Sequence, residues 1–157
     1  VSGGILTVDA PAGYNEFQIS KPNGSYRPGD DWTEHASNAR GWWIEVRLRI
    51  DPISEPGCDV PKHTPSVTIW AMDDVMLQRL VFSPDAVCVL VSWDQALAVP
   101  MDTTSAFHVY RLQTRLHHIK LYVDGALALD REVPDGGTTT TALMFGDGNS
   151  GDQPSLS

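Results

Sequence analysis

What this chain lacks narrows the field first. No apolar run approaches the roughly 20 residues that a membrane-crossing helix needs; even AVCVLVSW gives way within a residue or two to Asp94 and Gln95. Membrane insertion is therefore not expected. Basic residues are scarce, with 11 Lys and Arg against 20 Asp and Glu and a formal charge of −9. A phosphate backbone or an anionic lipid surface would be repelled over most of such a molecule, so neither nucleic acid nor membrane is an expected partner. There are only two cysteines, and neither belongs to a CxxC or to a Cys/His cluster with zinc spacing. A nucleophile elbow of the form G-x-S-x-G, a P-loop and a dinucleotide-binding glycine run are all absent, which leaves acyl transfer and nucleotide chemistry without local support. Helical periodicity is missing too: no stretch of about a dozen residues sustains a 3.6-residue period.

What is present is alternation. The 157 residues, 41% of them apolar, fit one compact domain over 1–157 with a loop-rich part at 1–41. That first part, rich in Gly, Pro, Asn and Asp, holds a weak run at ILTV (5–8) and one short strand at EFQIS. WWIEVRLRI (42–50) is the first strong strand, with Ile44, Val46, Leu48 and Ile50 on one face and Trp43, Glu45, Arg47 and Arg49 on the other. SVTIWAMDD, MLQRLVFS and AVCVLVSW then form a meander, turned at Asp73-Asp74 and at Pro84-Asp85. FHVYRLQTRLHHIKLYVDG divides into a strand near 106–114 and another near 118–123, with Asp124-Gly125 as a hairpin turn into ALALDREV. ALMFG is the last strand before a polar tail. Such a series of short antiparallel strands predicts an all-β, two-sheet antiparallel β-sandwich, with a closed barrel as the alternative.

Cys58 and Cys88 stand 30 positions apart. Joined, they would stabilise the fold by about 3 to 4 kcal/mol on the chain-entropy account; the alternative is two independent thiols, one exposed and one buried. The start Val1-Ser2-Gly3-Gly4, with neither an initiator Met nor a leader, reads as a processed secreted protein or as a piece of a longer one.

The order of DTTSAFHVYRL (102–112), LYVDGALAL (121–129) and LMFGDGNSG (143–151), with WWIEVRLRI upstream, resembles the concanavalin A-like lectin/glucanase superfamily, in particular its laminin-G-like modules. The resemblance covers about residues 40–150 and implies a jelly roll of two curved sheets. It implies no single activity, because the superfamily holds lectins, hydrolases, lyases and plain binding modules. The pattern departs at its end: such modules usually continue after FGD with a closing aromatic strand. Here either that strand lies past 157 or another segment takes its place.

Laminarinase-type members of this superfamily carry E-x-D-x-x-E on one strand face. Here Glu45 is followed by Arg47 where the Asp would stand, so retaining hydrolysis of that kind has no local support. A lyase would need a base and a cation, roles that His108, Tyr110 and Arg47 could fill. Binding asks for less, an aromatic platform with fixed polar groups. Trp43, Glu45, Arg47, Arg49, His108 and Tyr110 meet that need if Phe107 and Val109 face the core and the two strands are neighbours. The plainer alternatives are an ion-pair ladder for Glu45 with its arginines and core packing for Trp42, Trp70 and Trp93. Asp147, Asn149 and Asp152 are a calcium candidate, as are Asp30-Asp31 with Glu34, although the first set lacks the EF-hand spacing and its terminal Glu. The sequence thus leads to a noncatalytic carbohydrate-binding or adhesion module, secreted or at the cell surface, with a glycan or polysaccharide as partner and calcium as the one candidate cofactor. A glycan-active hydrolase or lyase is the alternative, and a structural spacer the third.

Overall fold

The computed structural model describes residues 16–18, 36–50, 58, 67–73, 75–92, 95–133 and 142–147. The expectations placed on ILTV, Asp30, Asp31, Glu34, Trp93, Asn149, Asp152 and the side chain of Asp147 fall outside the described residues. Ten strands are present among those described: β1 (Glu16–Gln18), β2 (Trp42–Leu48), β3 (Val67–Met72), β4 (Leu77–Ser83), β5 (Ala86–Ser92), β6 (Gln95–Pro100), β7 (His108–Arg115), β8 (His118–Val123), β9 (Ala126–Glu132) and β10 (Ala142–Asp147). They build a six-stranded sheet in the order β1-β10-β3-β4-β5-β6 and a four-stranded sheet in the order β2-β7-β8-β9. Every neighbouring pair is antiparallel. The all-β sandwich that alternation predicts is the observed architecture.

Its core is the meeting of two apolar faces. Ile69, Leu80, Phe82, Val87 and Val89 come from the larger sheet, and Tyr110, Leu112, Ile119 and Leu121 from the smaller; all are essentially inaccessible to solvent. The Phe82 and Tyr110 rings bridge the layers edge to face, with centroids 4.9 Å apart, a geometry favoured by the ring quadrupoles. At one end a single carboxylate ties several elements together. Asp73 Oδ2 accepts from Asn38 Nδ2 at 3.1 Å and from Trp42 Nε1 at 2.8 Å, while Oδ1 accepts from the backbone N–H groups of Val75 and Met76 at 2.8 and 2.6 Å. Asp73 therefore joins the 36–41 segment and β2 to the β3–β4 turn, which explains how a carboxylate is held fully buried.

Two turns close the smaller sheet. Asp124 (φ 50°) and Gly125 (φ 82°) turn β8 into β9 as expected, since both central residues of such a hairpin need positive φ. Leu116 (φ 49°) and His117 (φ 64°) do the same between β7 and β8, although a leucine seldom adopts that conformation. The two cysteines form a disulfide, Cys58–Cys88, with Cα atoms 6.1 Å apart. It sits on the outer face of the six-stranded sheet, where Thr68, Trp70, Cys88 and Leu90 are all buried. The disulfide points to an extracellular or otherwise oxidising compartment. β10 is paired on its second edge by β1, so a segment from the loop-rich N-terminal part lies beside the FGD strand.

Candidate functional site

The strand order brings WWIEVRLRI and FHVYRL together, because β2 and β7 are immediate neighbours with Ile44 opposite Leu112, Glu45 opposite Arg111 and Val46 opposite Tyr110. Residues directly across an antiparallel pair project to the same side. Since Ile44 and Val46 pack on the core, Leu112 and Tyr110 must do so as well. Tyr110 is accordingly inaccessible, and its expected place on the open face is corrected. His108 shares its parity and lies at the strand end, with Nδ1 2.7 Å from Asp124 Oδ2. Phe107, expected in the core, is 38% exposed. The faces of this strand are the reverse of those expected. The base-and-cation trio of His108, Tyr110 and Arg47 is therefore not assembled on one surface.

The other four expected residues are where alternation put them. Trp43, Glu45, Arg47 and Arg49 all lie exposed along one side of β2 and its continuation. From β7 the residues that join them are Val109, Arg111, Gln113 and Arg115, with Phe107 just before the strand. Sequence reasoning missed Phe107, Arg111 and Gln113 as members of this face. The signal was available: Arg111, Gln113 and Arg115 alternate against Tyr110, Leu112 and Thr114, and the charged set belongs outside.

Across the sheet these side chains form rows. Trp43, Gln113, Lys120 and Asp130 stand side by side on successive strands, and Glu45, Arg111, Tyr122 and Leu127 form the next row. Trp43 is 58% exposed, and the Arg111 guanidinium lies over its ring at 5.2 Å from the centroid. Arg111 is fixed in turn by Glu45, whose Oε2 receives Nε at 2.8 Å and Nη2 at 2.6 Å. On the far side Asp130 meets Lys120 Nζ at 3.3 Å and His118 Nε2 at 3.2 Å. At the other end of β2 the Arg47 and Arg49 guanidiniums both stack on Phe107, 4.7 and 5.4 Å from its centroid. The face thus offers an indole plane beside immobilised hydrogen-bond groups, and a second aromatic ring under two cations.

Three acid–base groups are tuned nearby. Asp124 is held below the usual carboxylate range, chiefly by the His108 side chain and then by the Val109 N–H, which reaches Oδ1 at 2.9 Å. This clamp persists above the ordinary carboxylate pKa and loosens only in acid. Asp102, lowered to about 2 by the Thr104 hydroxyl and N–H and by Ser105, caps the bend that leads into β7. Tyr110 is raised to about 12, by burial first and by the charges of Asp124 and Asp102 after it. Among the described residues no group of three or more His, Cys, Asp or Glu is placed to hold a metal ion.

Fold and face together define the class: an antiparallel β-sandwich whose larger sheet carries a disulfide on its outer side and whose smaller sheet leaves its outer side open. No protein-family model and no curated protein matches the chain. Among solved structures it is similar to a Crh5 transglycosylase determined in complex with NAG, at 17% identity and a TM-score of 0.39, over 70% of this chain and 53% of that one. The chain spans about half the length of that structure.

Proposed function

We propose that the protein is a noncatalytic carbohydrate-binding or adhesion module of a secreted or cell-surface protein, built as a concanavalin A-like jelly roll, and that it binds glycan on the open face of its four-stranded sheet. The observation that carries this reading is Trp43, a tryptophan 58% exposed in a row of polar side chains. Sugar rings stack by their C–H faces on such an indole and present hydroxyls at their edges. Gln113 stands directly across from Trp43, and Glu45 and Arg111 form the next row, already locked together. Preorganisation of this kind lowers the entropic cost of binding.

Trp43→Ala should weaken glycan binding by about 1 to 3 kcal/mol and leave the far-ultraviolet spectrum and thermal midpoint nearly unchanged, as measured by calorimetry over a glycan panel. A collapse of the fold in that variant would assign Trp43 to packing and remove the site. Release of new reducing ends or unsaturated products during the same incubations would move the protein to the glycan-active enzymes.

A further inference from the structure

Leu127 is 52% exposed on the outer side of the four-stranded sheet, and an irregularity of the backbone puts it there. His118 to Leu121 pair with Glu132 to Leu129 in unbroken register, but Tyr122 then pairs with Leu127, so Ala128 is an extra residue in β9. Had the register continued, Ala128 would stand opposite Tyr122, and Leu127 would stand opposite Val123, which packs on the core. The bulge turns Leu127 out beside Tyr122. Bulges re-aim side chains in this way, and here the one re-aimed is an aliphatic side chain sent away from the core.

The result is a floor that crosses the strands. The Arg111 guanidinium lies over the Trp43 indole, Arg111 has Tyr122 directly opposite on β8, and Tyr122 has Leu127 opposite on β9. From β2 to β9 is three inter-strand steps, about 14 Å, farther than a single sugar ring reaches. The charges along this floor are answered within their own rows: Lys120 meets Asp130 in the row of Trp43, and Arg111 meets Glu45 in the next. Gln113, directly across from Trp43, adds an uncharged amide that both donates and accepts hydrogen bonds. Farther along the sheet, Arg47 and Arg49 share the Phe107 end with the ionised Asp102 and Asp124, so that end carries both signs.

We infer that this face binds an extended, uncharged polysaccharide chain running across the strands, with one sugar ring on Trp43 and a later ring on a second platform made by Tyr122 and Leu127. The inference rests on the glycan-binding reading and adds to it a second contact, a direction and the neutrality of the ligand.

Calorimetry with linear cello-, xylo- and manno-oligosaccharides from disaccharide to hexasaccharide, and with polygalacturonate as the charged comparison, tests it. In at least one neutral series affinity should rise about tenfold once the chain is long enough to reach from Trp43 to Tyr122. That affinity should be unchanged when salt is raised from about 50 to 300 mM, a range over which exposed charges become screened. Tyr122→Ala and Leu127→Ala should each remove the gain of the longer chains and leave the affinity for the disaccharide as it was. Thermal melts control for folding, and Leu127, being exposed, can be truncated without opening a cavity even if Tyr122→Ala unfolds. Equal affinity for short and long chains, or a gain with length that persists in Leu127→Ala, would overturn the second platform, while binding lost in Trp43→Ala would still uphold the proposed function. Binding to polygalacturonate alone would overturn the neutrality of the ligand and with it this inference; binding to none of these probes would sink both readings.

Discussion

Tyr110 lies wholly inside the sandwich, and its hydroxyl meets no hydrogen-bond partner among the described residues. The cause is register: the residue opposite Val46 has to face inward, whatever its polarity. A buried hydroxyl without a partner has lost its water and gained little in return. Its pKa rises from 10.0 to about 12, so the stability carried by the protonated form is intact below pH 10.0 and is lost as pH climbs through about 12. Two pH units of that kind amount to roughly 3 kcal/mol at most. Urea unfolding should therefore show Tyr110→Phe equal to the parent or slightly more stable at pH 8, with a growing advantage at pH 11. A variant weaker by more than about 1 kcal/mol at pH 8 would mean that the hydroxyl is hydrogen-bonded after all. Gln78 and Thr114, also buried on inward positions, carry side-chain polar atoms in the same condition.

At the scale of elements, the β3–β4 turn depends on Asp73 more than on the intrinsic preference of its residues. Asp73→Ala would strand the Trp42 indole N–H, the Asn38 amide and two backbone N–H groups in a region closed to water, and should cost about 3 to 5 kcal/mol in chemical denaturation. A loss below about 1 kcal/mol would show that the segment holding Asn38 and Trp42 is positioned by packing alone. The sequence marked this turn by its paired aspartates but not the reach of the first one, because partners 31 and 35 positions away leave no local pattern.

Legibility varied for similar reasons elsewhere. β2 was readable down to its faces, since four apolar residues alternate with Trp43, Glu45, Arg47 and Arg49 without a break. β6 was not marked as a strand: QALAVP has a single β-branched residue and ends in Pro100, and it is an edge strand held by β5. The β7–β8 turn was placed only as a bend, because Leu116 and His117 lack the Asn-Gly chemistry that announces positive φ. Most consequential was β7, where the apolar start Phe107-Val109 outweighed the later Arg111-Gln113-Arg115. Pairing with β2 reverses that choice, and pairing is invisible along a single strand. Half of the candidate site was therefore legible from one strand, and the other half required two.

Over the whole molecule the two outer faces differ in kind. On the six-stranded sheet the disulfide fastens Cys58 to β5 across a face that already buries Trp70 and Leu90. Reduction, or Cys58→Ser, should lower the unfolding free energy by about 2 to 4 kcal/mol, seen as a shift in urea midpoint that a reducing agent produces in the parent and not in the variant. Equal midpoints with and without reductant would show that the bond restrains little. The open face of the other sheet has no such fastening and should keep its rows of side chains in either redox state.

The position of β10 bears on how the chain is made. Successive hairpins assemble β3 to β6 and β7 to β9 from neighbouring residues, but β10 lies between β1 and β3, so residues 16–18 gain a sheet partner only when residues 144–146 arrive. On the ribosome the edge of β3 stays bare until residues 142–147 have emerged. That bare edge is open to mispairing with another nascent copy, and contacts so distant in sequence close slowly.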